Sequence, residues 1–306
     1  MTRRVVVTGA RGFIGGHVVE ALTARSDSVT PIVVRAPCDD AALVEACRGA
    51  ACVVHLAGVI AARRDDLFTT GNVDVTRAVA AAAAAAGAHL VHTSSLAAAG
   101  PAPPDRPRGE DDAPAPVTAY GRSKLESERV VRATPNLRWT ILRPGVVYGP
   151  RDRGLLTVFR YAARGWLPLV GRPSAAYMFI HVDDAVRAIV SAVDRALHGE
   201  IVFVGHPAPV FVHDLLTTIR AATNPRARIV RVPDAVLYIA AVAGEIVRAT
   251  TGERTAINRR RYAELTSPGF ACRVDRLRDR LGVEPRVDLA DGIQRTAAWY
   301  RDNGWI

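Results

Sequence analysis

Lysine is almost missing from this chain. Of its 40 Lys+Arg residues only Lys124 is a lysine, inside AYGRSKLESE (119–128), and the other 39 are arginine. A bias toward arginine explains a surface of guanidinium groups, but not one position that kept an ammonium. Cysteine is scarce as well. Cys38, Cys47, Cys52 and Cys272 form no C-x-x-C pair and no metal-ligand spacing, so no metal is expected and free thiols in a reducing cytoplasm are. Long apolar runs are lacking too. The most apolar stretch, VLYIAAVAGEIV (236–247), contains Glu245 and is too short to span a bilayer. The start MTRRVVVTGARG has only three apolar residues before Thr8-Gly9, which does not make a signal peptide. A cytoplasmic protein with no membrane span is expected.

Acidic residues are outnumbered, 30 to 40, which leaves a formal charge of +10. Such a balance invites an anionic partner. The arginines are scattered, however, and the longest run, Arg259-Arg260-Arg261, has no aromatic interleaving, so no nucleic acid is expected. A phosphorylated cofactor would use a few of these charges. With 49% hydrophobic and 23% charged residues over 306 positions, the composition is that of a globular chain able to bury a large core.

What is present is an alternation. Val5–Val7 reads as a strand, SVTPIVVR (28–35) as a second, CVVHLAG (52–58) as a third and HLVHTSS (89–95) as a fourth. Helices fall between them at GHVVEALTAR, DDAALVEACRG (39–49) and NVDVTRAVAAAAAAAGA (72–88). Strands alternating with helices predict an α/β fold with a doubly wound parallel Rossmann sheet. A loop with six prolines, GPAPPDRPRGEDDAPAPV (100–117), precedes a helix over about Tyr120–Ala133, the strand RWTILRP (138–144) and the helix DDAVRAIVSAVD (183–194). The expected division is a dinucleotide-binding domain over 1–145 plus about 178–204. A smaller C-terminal substrate lobe takes about 146–177 and 205–306.

Gly9, Gly12 and Gly15 sit between the first strand and the first helix. Backbone must approach a pyrophosphate closely there, and the helix start then offers free N–H groups to it. The loop therefore predicts a dinucleotide. No acid ends the second strand to meet an NAD ribose, whereas Arg35 ends it and Arg11 lies in the loop. Both suit the 2′-phosphate of NADP, so NADP is preferred and NAD stays open.

Tyr120 and Lys124 stand four apart on one helix face. A free phenol has a pKa near ~10, and a neighbouring ammonium favours its ionised form. Tyr120 can then exchange a proton with a substrate oxygen while Lys124 bonds ribose hydroxyls, both tasks that suit a compact ammonium better than a planar guanidinium. Ser94 and Ser95, at a strand end 25 residues upstream of Tyr120 from Ser95, offer hydroxyls to the same oxygen.

With these residues in place, the sequence resembles the extended short-chain dehydrogenase/reductases, the NAD-dependent epimerase/dehydratase-like group. The matching stretches are TGARGFIG (8–15), HLAG (55–58), Asn72 in GNVDVT, SSLAAAG (94–100), YGRSK (120–124), LRPGVVYGP (142–150) and FIHVDDAVRAI (179–189). The resemblance implies Ser95, Tyr120 and Lys124 as catalytic residues, Ser95 rather than Ser94 because it stands five before Gly100. It implies cofactor contacts from Gly9, Arg11, Gly12, Phe13, Ile14, Gly15, Arg35, Leu56, Ala57, Gly58, Asn72, Tyr120, Lys124 and Pro144.

Two departures stand out. Only 40 residues separate Gly15 from His55, so one strand–helix unit of the relatives is expected to be missing. Val146 and Tyr177 replace the Asn and Arg that help relatives hold a sugar-nucleotide diphosphate. With Ser95 they are the expected substrate contacts, and bulky, less polar groups favour a hydrophobic small molecule. The LRP-x-x-VYGP form is closer to the dihydroflavonol reductase and 3β-hydroxysteroid dehydrogenase-like branch. The expected activity is therefore NAD(P)-dependent interconversion of a ketone and a secondary alcohol. The alternatives are a nucleotide-sugar epimerase or dehydratase with tightly held NAD, or a non-catalytic nucleotide-binding scaffold. A homodimer through the helices near 73–86 and 120–133 is implied by the resemblance. The apolar helix 236–247 could line the pocket, touch a membrane or pack into the second lobe.

Overall fold

The computed structural model describes residues 3–62, 64–172, 174–251, 262 and 267–306. The arginine run 259–261 lies outside them. Six strands build the main sheet: β1 (Arg4–Thr8), β2 (Ser28–Ile32), β3 (Cys52–His55), β4 (His89–Thr93), β5 (Arg138–Pro144) and, after four short strands, β10 (Glu200–Val204). Their order is β10-β5-β4-β3-β1-β2, and every pairing is parallel.

The alternation of side chains along β1 explains the layers. Val5 and Val7 face Val18 and Leu22 of helix Phe13–Ala24 and Ile189 of helix Val182–Arg195. Val6 faces the other way, onto Leu43, Val79 and Ala83 from helices Asp40–Cys47 and Val75–Ala85. A parallel strand covered on both faces must be apolar on both, as this one is. The run of alanines lets helix Val75–Ala85 approach closely, with Ala80, Ala82 and Ala83 at 1% exposure or less. Helix Asp40–Cys47 starts where its acid run predicts, since the Asp39 side chain accepts from Ala42 N at 3.0 Å.

The sheet stops at β2, which is shorter than the expected 28–35 and half exposed. The next helix begins at Asp40 and the chain re-enters on the far side of β1. The shortening read from the sequence is thus a truncated sheet edge, and it leaves Arg35 in the connection rather than in the strand.

The remaining short strands are β6 (Val146–Tyr148), β7 (Trp166–Leu169), β8 (Ala176–Tyr177), β9 (Phe179–His181), β11 (Val210–Phe211), β12 (Arg228–Arg231) and β13 (Gly269–Phe270). They frame a second core in which Phe159, Leu167, Ile219, Ile293 and Tyr300 are fully buried. The proline-rich loop 100–117 is ordered against this part. Ala102 bridges Phe270, Arg108 bridges Cys272, and Ala115 N returns to Ala99 O at 2.8 Å. The apolar stretch 236–247 lies in helix Asp234–Thr251, which buries Leu237 and Ala241 and exposes Val236 and Ile239. Among the described residues no helix is long and apolar enough to cross a membrane.

Candidate active site

One cavity of about 1010 Å³ runs from the glycine loop to the helix that carries the lone lysine. Its first wall is Gly9–Gly16. Gly9 has φ +69°, and a Cβ there would fall 2.7 Å from Ala57 N; a Cβ on Gly15 would fall 2.1 Å from Gly9 O. No side chain can be added without opening the turn. The helix begun at Phe13 has no side-chain cap, so its first N–H groups face the cavity free of one. The cradle fits a dinucleotide pyrophosphate by shape and by polarity.

Ser95 and Tyr120 meet because two helices approach at backbone distance. Ser95 caps helix Leu96–Ala99, its Oγ accepting from Ala97 N at 3.2 Å. Thr118 caps helix Ala119–Ala133, and a Cβ on Gly121 would lie 2.4 Å from Ala97 O. The glycine thus sets Tyr120 alongside Ser95, and both line the cavity. Burial pushes the Tyr120 phenol up, and the neighbouring Ser95 hydroxyl pulls it down by less. The expected lowering by Lys124 gives way here to desolvation.

Lys124 is buried, and its Nζ donates to Thr93 O at 2.8 Å. An ammonium has three donors, so two remain for other partners. Burial lowers its pKa to about 8, with the Glu128 carboxylate acting to raise it. Beneath it lie His55 and His92, stacked at 5.3 Å between ring centroids. Burial first, then Lys124, pulls His55 to about 3 and His92 well below its ordinary value, so both rings are neutral.

Asn72 sits in a π-helical turn, Thr69–Asp74, a distortion common near functional sites. It lines the cavity, but its amide is already engaged: Val59 N donates to Oδ1 at 2.7 Å, and Nδ2 donates to Val59 O and Ser123 Oγ. Its role here is to pin the chain next to Gly58.

The structure brings most of the expected residues together. Gly9, Arg11, Gly12, Phe13, Ile14, Gly15, Leu56, Gly58, Asn72, Ser95, Tyr120, Lys124 and Pro144 line the large cavity. Arg35 and Ala57 line an adjoining one of about 620 Å³, which shares Gly9 and Gly58 with the first. Ser94 is spent elsewhere, its hydroxyl donating to Glu128 Oε1 at 2.5 Å.

Val146 and Tyr177, expected to touch substrate, do not line this cavity. Gly145 and Val147 line the wall, so Val146 between them points to the opposite face of the strand and is 38% exposed. Tyr177 stacks on Phe270 instead. The cavity is also lined by residues the motifs did not flag: Arg151, Asp152, Arg153, Trp299 and Trp305. Arg153 lies over the Trp305 ring at 5.3 Å, and Arg151 is paired with Glu20 at 2.6 Å. Two of the four tryptophans standing in the last eight residues was the signal available for them. Among the described residues no cluster of metal-ligating side chains occurs.

The parallel sheet, glycine cradle and Ser-Tyr-Lys cluster define a dinucleotide-dependent enzyme of the extended short-chain dehydrogenase/reductase type. Residues 5–205 match the NAD dependent epimerase/dehydratase family, and the chain belongs to it. It is 30% identical to a ceramide reductase of Caulobacter vibrioides, over 99% of this chain and 96% of that protein. It is 28% identical to sterol demethylase protein B of Methylococcus capsulatus, over 98% and 99%. Among solved structures, MoeE5 in complex with UDP-glucose and NAD superposes with a TM-score of 0.79, at 25% identity, covering 98% of this chain and 99% of that one.

Proposed function

We propose that the protein interconverts a ketone and a secondary alcohol on a predominantly apolar small molecule, with NADP as the preferred dinucleotide. The observation that carries this reading is Ser95 and Tyr120 brought together with a buried Lys124 in the cavity that starts at the glycine cradle. The nicotinamide dinucleotide, when bound, supplies or accepts the hydride. Ser95 holds the substrate oxygen, and Tyr120 gives it a proton on reduction or removes one on oxidation. Lys124 bonds the ribose through its two open donors, and its charge assists the phenolate. Arg35, on the adjoining cavity, meets the 2′-phosphate.

The apolar substrate class is supported by Pro144, Val147, Trp299 and Trp305 on the cavity wall, and by relatives named for ceramide and sterol chemistry. In this reading the main-sheet lobe, 1–145 with 178–204, binds the dinucleotide and the remainder shapes the substrate side. The protein acts in the cytoplasm as a homodimer.

A second reading, recycling of tightly held NAD on a nucleotide sugar, draws on Arg151 and Arg153 at the cavity and on the likeness to MoeE5. Against it, Arg151 is already paired with Glu20. Denaturing freshly purified protein and quantifying the released nucleotide separates the two. Little nucleotide, or NADP(H), is expected, followed by NADPH oxidation with long-chain ketones. NAD⁺ near one per subunit would overturn the reductase reading.

A further inference from the structure

Glu128 does not itself line the cavity, yet it joins the helix of Lys124 to the ends of β4 and β5. It is 1% exposed. Its Oε1 accepts from the Ser94 hydroxyl at 2.5 Å and from Arg143 Nε at 2.8 Å, and its Oε2 from Arg143 Nη2 at 2.6 Å. Ser94 directly follows β4 and precedes Ser95, and its backbone N donates to Leu142 O at 2.7 Å. Arg143 is the residue before Pro144 at the end of β5, 3% exposed, its guanidinium 5.8 Å from the Phe203 ring. Glu128 itself lies one turn beyond Lys124 on helix Ala119–Ala133.

We infer that Glu128 is a positioning residue of this site: paired with Arg143, it anchors the Ser94-Ser95 segment that follows β4 and stands as the counter-charge to the buried Lys124 ammonium. A buried ion pair is weak evidence for stability, because desolvation offsets the attraction, and such a pair could equally be replaced by apolar side chains. What an apolar replacement could not supply is a fixed negative charge one turn from an ammonium that burial disfavours. The inference rests on the reading of Lys124 as the ribose-binding residue that tunes Tyr120. The groups facing Lys124 are few. Tyr120 and Glu128 come from its own helix, His55 from β3 and His92 from β4, and Arg143 lies behind Glu128 on β5. Both histidines are neutral across the working range, so the Glu128–Arg143 pair is the charged neighbour that can act on the ammonium.

The lone lysine makes the test direct. Protein grown with [ε-¹³C]lysine, in an expression form free of added lysine, gives one side-chain signal. Its shift against pH reports the Lys124 midpoint with no substrate and no turnover, so the outcome does not depend on the proposed activity. Glu128→Gln removes the counter-charge and is expected to lower the midpoint by about one unit. Arg143→Gln leaves the carboxylate without its partner cation and is expected to raise it. A structural role alone would move both variants the same way or neither, and either result overturns the inference. Should Glu128→Gln not fold, Arg143→Gln decides by itself: a midpoint that stays or falls overturns the proposal.

Discussion

Replacing Lys124 by arginine keeps the charge and changes only the shape of the cation, so it tests why this one position escaped the arginine bias. The side chain is 4% exposed, and a Cβ at Gly58 would come within 3.9 Å of Nζ and 3.0 Å of Asn72 Oδ1, so backbone closes one side. A guanidinium brings five N–H donors in a rigid plane where the ammonium brings three that rotate. Overpacking a buried site costs about 1–3 kcal/mol. Each buried donor left unpaired adds about 1–3 kcal/mol. With one orphaned donor the loss is about 2–6 kcal/mol, and a chain of this order loses about 2–4 °C of melting temperature per kcal/mol. A drop of at least about 4 °C is therefore expected for Lys124→Arg. Dinucleotide binding should weaken by about 10- to 100-fold, the equivalent of about 1.4–2.7 kcal/mol. Trp299 and Trp305 line the cavity, so energy transfer from tryptophan to reduced nicotinamide reads the affinity without a substrate. If the variant binds NADPH and NADH within about threefold of wild type and melts within about 1 °C of it, the position does not require an ammonium.

Tyr120→Phe should reduce turnover by about 10²- to 10⁴-fold in NADPH oxidation while leaving NADPH affinity within about threefold, since only the phenolic proton is lost. Arg35→Ala should weaken NADPH about tenfold and leave NADH unchanged in the same fluorescence titration; equal losses for both would assign Arg35 to packing instead. Lys124→Met should stabilise the cofactor-free protein at pH 7 while destroying dinucleotide binding. Burial lowers the Lys124 pKa from 10.5 to about 8, so the folded state sheds its proton more readily than the unfolded chain. The ammonium therefore opposes folding below pH 8, and the penalty fades as pH rises from about 8 to 10.5. Urea unfolding should show a gain of about 3 kcal/mol at pH 7 that has shrunk by pH 10.

The part of the molecule that could be read from residues alone is the part governed by local rules. The alternation of Val5, Val6 and Val7 fixes which helix lies on which face, and the glycine loop can close only with hydrogen at Gly9 and Gly15. Asp39 and Thr118 mark helix starts because their side chains satisfy amides three residues on. The substrate wall obeys no such rule. Val146 and Val147 are the same residue type side by side, and only the phase of β6 against β9 decides which one faces the cavity. Trp299 and Trp305 reach the cavity from the other end of the chain, through the stacking of Trp305 on Tyr300 and the bond from Tyr300 to Asp152 O at 2.6 Å.

Glu128 escaped for a related reason. In LESE it reads as one acid among several on an amphipathic helix, and Glu126, two residues earlier, is indeed an exposed partner of Arg129. What separates them is which side of the helix meets β4 and β5. That is set by the close approach at Gly121, which also brings Tyr120 to Ser95. One backbone contact thus orients the acid–base pair, the ammonium and its counter-charge together, so a change at Gly121 should disturb all of them at once.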